Sequence, residues 1–254
     1  MGPAGRVTDG MFPVALSIPA AWLAAAAANW AADALPACGQ PDRQNPGART
    51  PFWRYLLPGW RAERAAGPAD AEATSAPRAA RPAGRALAVQ AAMVLLFICG
   101  WWRFQATPAV LVVAWLYTVY LLATLVIDFE TRRVLNVMLG PAAVIVLALS
   151  FLPGMPGPLA ALLGGAAGFG GFLVLFLIGR GRAMGFGDVK LAGLIGLMLG
   201  YPAVVPALVV GILLGGLAAL ALLIARKAGR KSYIAYAPYL ALGALVVLFR
   251  LLGS

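Results

Sequence analysis

Past Glu72 the chain holds only three acidic side chains, Asp128, Glu130 and Asp188. Asp128 closes the uncharged apolar run 109–127, and Asp188 lies at the start of another apolar run, 187–200. A charged side chain at the bilayer centre costs about 2.5–3.5 kcal/mol on insertion scales, so acids in apolar helices mark functional sites by default; a position at the helix end softens the penalty. Two carboxyls sharing one site do not easily ionise together. One keeps a proton and can act as an acid, while the other stays charged and can activate water. That division of labour is the chemistry of aspartic peptide hydrolysis.

Other chemistries lack their residues. The chain has no histidine and two cysteines, Cys38 and Cys99, with no CxxC pair. A Cys/His zinc site therefore has no ligand set, and Ser-His-Asp or Cys-His catalysis has no base. No metal and no cofactor is expected, and both cysteines read as small buried apolar residues.

Asp188 stands in the string Gly185-Phe186-Gly187-Asp188. Gly185 and Gly187 permit backbone conformations closed to other residues and let a substrate strand approach the main chain. The plainer alternative is a flexible loop followed by an aspartate near a helix N-terminus, where capping and the helix dipole stabilise a carboxylate. Glu130, two residues from Asp128, faces roughly the opposite side of a continuing helix and is read as solvated. Lys190 is read as a snorkelling topology anchor, with a secondary role in orienting a leader peptide or a lipid phosphate.

The elements that must hold these acids are apolar helices. Of the 254 residues 62% are hydrophobic and only 11% charged, which puts the chain in the membrane class. Roughly 20 helical residues cross the ~30 Å hydrocarbon layer. Spans are expected near 11–35, 86–102, 109–127, 137–153, 158–178, 187–200, 202–225 and 238–252, an all-α polytopic bundle of about eight spans. The run 187–200 is short and Gly-rich, compatible with a tilted span, a helix packed inside the bundle, or the continuation of a loop dipping into the membrane. The first run is too long for the core of a secretory signal peptide and is kept as a span. Glycines at 164, 165, 168, 170 and 171, and again at 211, 215 and 216, offer small-residue faces for close helix packing.

The net charge of +11 is explained by topology. Eight Arg lie between residues 43 and 85, and further basic clusters follow at 132–133, 180–190 and 226–231. Cytoplasmic loops are enriched in Lys and Arg, so these clusters mark the cytoplasmic side, where they meet lipid head groups. No nucleic acid partner is expected. On this topology Asp128 ends an inward-running span and Asp188 begins an outward-running one, so both carboxyls reach the cytoplasmic face and can lie side by side.

Three segments then fall in order. They are Leu125-Val126-Ile127-Asp128-Phe129-Glu130 with Arg133-Val134-Leu135-Asn136; Gly185-Phe186-Gly187-Asp188-Val189-Lys190-Leu191 with Gly193, Gly196 and Gly200; and Ile234 to Gly243 before the last apolar run. Together they resemble the type IV prepilin peptidases, membrane aspartic proteases of the GxGD class, to which presenilin-like and archaeal preflagellin peptidases are also compared. The resemblance implies an endopeptidase that removes the short basic leader of type IV prepilins or type II secretion pseudopilins on the cytoplasmic side of the bacterial inner membrane. Carried over by position, Asp128 and Asp188 are the catalytic pair, with Gly185 and Gly187 shaping the loop beside them.

Two departures from the family pattern matter. Many members carry two CxxC pairs in the loop after the first span and methylate the new N-terminus; here 36–85 holds only Cys38, which puts the methyltransferase activity and its zinc in doubt. Leu135 stands where the family usually has proline. The expected organisation is an N-terminal transmembrane segment over 1–35, a mostly disordered cytoplasmic loop over 36–85, and a peptidase transmembrane domain over 86–254. The competing functions are another GxGD membrane protease, of preflagellin or signal-peptide type, and a proton-coupled carrier. A carrier is expected to show repeat symmetry and acids near the bilayer midplane, and the sequence shows neither.

Overall fold

The computed structural model describes residues 18–28, 83–104, 107–131, 136–180, 184–224 and 236–251. The helix α1 covers Ile18–Ala28. It is followed by α2 Ala83–Phe104, α3 Pro108–Thr131, α4 Asn136–Leu149, α5 Pro158–Ile178, α6 Phe186–Leu199, α7 Val204–Ile224 and α8 Ala237–Leu251. Among the described residues there is no strand, and the fold is all-helical. Four stretches, Leu87–Phe104, Pro108–Asp128, Pro158–Ile178 and Val204–Ala221, are long and apolar enough to cross a membrane; α1, α4 and α8 are shorter apolar helices. Of the loop expected over 36–85, residues 36–82 lie outside the described residues, and 83–85 already form the start of α2.

Local chemistry sets several boundaries. Pro158 opens α5, where its missing N–H and fixed φ cost nothing, and the Gly179 N–H closes the helix onto the Leu175 carbonyl at 2.9 Å. The apolar run expected over 137–153 stops being helical at Leu149. There the backbone tightens into i to i+3 bonds, Phe151 N–H to Ala148 O and Leu152 N–H to Leu149 O, and the Ser150 hydroxyl donates to Leu147 O at 2.7 Å. A hydroxyl competing for the last carbonyls, with Pro153 close behind, ends the helix.

The short run 187–200 resolves as the helix packed inside the bundle. Most of α6 is buried, including Val189, Leu191, Ala192, Leu194, Ile195 and Met198, and it is surrounded by α4, α5, α7 and α8. Its closest partner is α5, because glycines let the two backbones meet. A methyl group on Gly164 would run into the Gly196 carbonyl, one on Gly196 into the Gly164 carbonyl, and one on Gly168 into the carbonyl of Ala192. Small residues of this kind replace the hydrophobic drive that lipid does not supply between helices.

The other helices frame this pair. Gly243 of α8 packs in the same way against Ala207 and Gly211 of α7. Trp115 of α3 stacks on Phe97 of α2, with ring centroids 4.7 Å apart, and its indole N–H donates to the Phe97 carbonyl at 3.2 Å, so a half-buried aromatic keeps its polar atom satisfied. Leu159, Leu162 and Leu177 of α5 and Leu213, Leu217 and Leu220 of α7 point outward and are exposed. Helix surfaces this apolar face lipid in a membrane bundle.

Candidate active site

Three helix ends converge on the two aspartates. Asp128 lies in the last turn of α3, behind the buried Val126 and Ile127, and is itself only 3% exposed. Asp188 is the third residue of α6 and is 6% exposed. The two carboxyls, 60 residues apart in sequence, come within electrostatic range of each other. The third end belongs to α8, whose first residue, the fully buried Ala237, turns its backbone amide toward Asp188.

The two acids are held differently. Asp188 and Gly185 bond reciprocally: the Asp188 N–H donates to the Gly185 carbonyl at 3.1 Å, and the Gly185 N–H donates to Asp188 Oδ2 at 3.2 Å. The Ala237 backbone amide faces the same carboxyl from the start of α8. Asp188 thus sits among the free N–H groups of two helix N-termini, where a negative charge is favoured. Asp128 sits at a helix C-terminus, where free carbonyls gather, and its Oδ2 is buried without a hydrogen-bond partner among the described residues. A buried carboxyl oxygen without a donor is costly unless it carries a proton or meets a ligand.

Neither Gly185 nor Gly187 uses the left-handed backbone that glycine permits. Gly185 caps α6 at φ −78° and ψ 149°, an extended conformation open to any residue, and Gly187 is already helical. The positive-φ glycines among the described residues are Gly154, Gly157 and Gly200. An N-cap residue takes the β region by geometry, so no left-handed backbone is required. A Cβ added to Gly185 would stand 3.7 Å from Asp188 Oδ2, an ordinary contact. What distinguishes Gly185 is an exposed backbone next to the acid.

Lys190, one turn after Phe186, holds its ammonium 5.1 Å from the Phe186 ring centroid. The side chains of Glu130 and Asn136 lie outside what is described. Two features escaped the sequence altogether. One is the Ala237 amide, which no side-chain pattern could signal. The other is Gln90 of α2, a buried amide whose Oε1 has no partner among the described residues; as the one amide in a long apolar run, it could have been noticed.

Residues 111–220 match the model of the type IV leader peptidase family. Over these residues the chain is similar to that family. The leader peptidase segment runs from α3 into α7 and includes both aspartates, while α8 and its Ala237 amide lie beyond the match. Searches of curated proteins and of solved structures gave no match. The family match and the four long apolar helices are consistent with a multi-pass membrane protein similar to the leader peptidases.

Proposed function

We propose that the chain is an aspartic endopeptidase that removes the leader from type IV prepilins or type II secretion pseudopilins, with Asp128 and Asp188 as the catalytic pair at the cytoplasmic side of a bacterial inner membrane. The observation that carries this reading is the meeting of two buried aspartates at opposed helix ends inside the leader peptidase segment. Asp188, with the Gly185 N–H donating to it and the Ala237 amide facing it, is the charged member and activates the attacking water. Asp128, whose Oδ2 has no donor, carries the proton and gives it to the scissile carbonyl oxygen; as the C–N bond breaks, the proton that Asp188 took from water passes to the leaving amine and the gem-diol hydroxyl returns one to Asp128. Buried helices around the pair exclude bulk water and strengthen both interactions.

The basic clusters at 132–133, 180–190 and 226–231 support a cytoplasmic site, since they flank the helix ends that carry the two acids. The absence of CxxC pairs from 36–85 supports a peptidase without the zinc-bearing methyltransferase function. Both statements meet one experiment. Purified full-length protein in lipid vesicles is incubated with a prepilin and S-adenosylmethionine, and the products are read by mass spectrometry. A single cut at the leader junction with an unmethylated new N-terminus is expected; an uncut prepilin sinks the peptidase, and a methylated product sinks the loss of the second activity.

A further inference from the structure

The turn that carries Asp188 is Gly185-Phe186-Gly187, in which only Phe186 has a side chain to anchor it. That side chain is held from three directions. Phe169 and Phe176, two turns apart on one face of α5, meet it with ring centroids at 6.4 and 5.6 Å and interplanar angles of 81° and 61°, both edge-on arrangements. Lys190 of α6 lies over the ring at 5.1 Å. The site is a clasp at the helix margin, since Phe186 remains 44% exposed.

Residues two apart on a helix point roughly 200° away from each other, so Phe186 and Asp188 face opposite sides of the first turn of α6. Gly164, Gly168 and Gly196 fix how closely α5 and α6 approach, but a glycine contact offers no side chain to resist rotation of the helix end. The ring between Phe169 and Phe176 does.

We infer that Phe186 is a positioning residue: clasped by Phe169, Phe176 and Lys190, it sets the rotation of the first turn of α6 and so aims the Asp188 carboxyl at Asp128. The inference rests on the aspartic-pair reading above. Misplacement of a reacting group by about 1 Å can cost on the order of a hundredfold in rate, so a loosened clasp acts on the chemical step while leaving substrate binding in place.

The test is a double-mutant cycle on full-length protein in vesicles, with prepilin cleavage resolved into kcat and KM per folded molecule. Phe186→Ala and Phe176→Ala are each expected to lower kcat by about tenfold with KM within about twofold of the parent. The double variant is expected to fall no lower than Phe186→Ala alone, because one clasp is broken in both. Phe186→Tyr, which keeps the ring, restores kcat. A parental kcat in Phe186→Ala, losses that multiply in the double variant, or a change confined to KM would each overturn the inference. Asp188→Asn assayed beside them separates the two levels: cleavage by that variant removes the aspartic pair itself, whereas its inactivity beside an unimpaired Phe186→Ala removes only the positioning role.

Discussion

Gly164 of α5 and Gly196 of α6 pack backbone against backbone, each in the place where the other's Cβ would stand. Neither side of this contact ends in a flexible side chain that could turn away, so any added atom must push the helices apart. Since α6 carries Asp188 at its start, the contact bears on the site as well as on stability.

Gly164→Ala is therefore expected to destabilise the bundle. Overpacking of a tight contact costs about 1–3 kcal/mol, which lowers a thermal midpoint by about 2–10 °C in a protein of this size. Gly171→Ala in the same helix, where a Cβ meets nothing within 4 Å, is the control. It should be neutral or stabilising by up to about 1 kcal/mol through helix propensity. Thermal unfolding of both in one detergent checks the contrast.

Ala237→Pro removes the amide N–H that faces Asp188, and because Ala237 is fully buried the added ring carbons also press on its packing. Tyr236 caps α8, with its carbonyl accepting from the Tyr239 and Leu240 N–H groups at 3.1 Å, so Ala237 occupies the first helical position, which proline favours. The variant should melt below the parent through overpacking by about 1–3 kcal/mol, and its kcat per folded molecule should fall by about tenfold, as for a lost N–H contact to a charged group of about 1.5 kcal/mol or more. An unchanged kcat would remove the Ala237 amide from the mechanism.

Most of the bundle was legible because hydropathy reports length and charge directly. The span expected over 158–178 coincides with α5, and the ends of α7 and α8 differ from expectation by only one or two residues. Single-residue competition is harder to read, as at Ser150, where a hydroxyl ends α4 inside an apolar run. The enclosure of α6 was one of three open alternatives, since a short Gly-rich run does not say which neighbour its glycines admit. That Asp128 and Asp188 reach the same end followed from basic clusters and helix direction. The Phe186 clasp and the Ala237 amide depend on contacts between helices distant in sequence, and no periodicity encodes those.

Gly185→Ala separates two uses of one glycine. The backbone at φ −78° accepts alanine, and the added Cβ clears Asp188 Oδ2 at 3.7 Å, so the Gly185 N–H bond should survive. If a substrate strand lies against this exposed backbone, the methyl group raises KM several-fold and leaves kcat within about twofold. A fall in kcat at constant KM would place the glycine in the chemistry instead.

The account rests on Asp128 and Asp188 acting as a pair, and Asp128→Asn and Asp188→Asn test it most directly. Each keeps the size of the side chain and removes its acid function, so each variant should accumulate in membranes at close to the parental level. Cleavage of a co-expressed prepilin, followed by the shift from precursor to mature form, should be abolished in both. Processing at the parental rate by either variant contradicts the paired-aspartate mechanism.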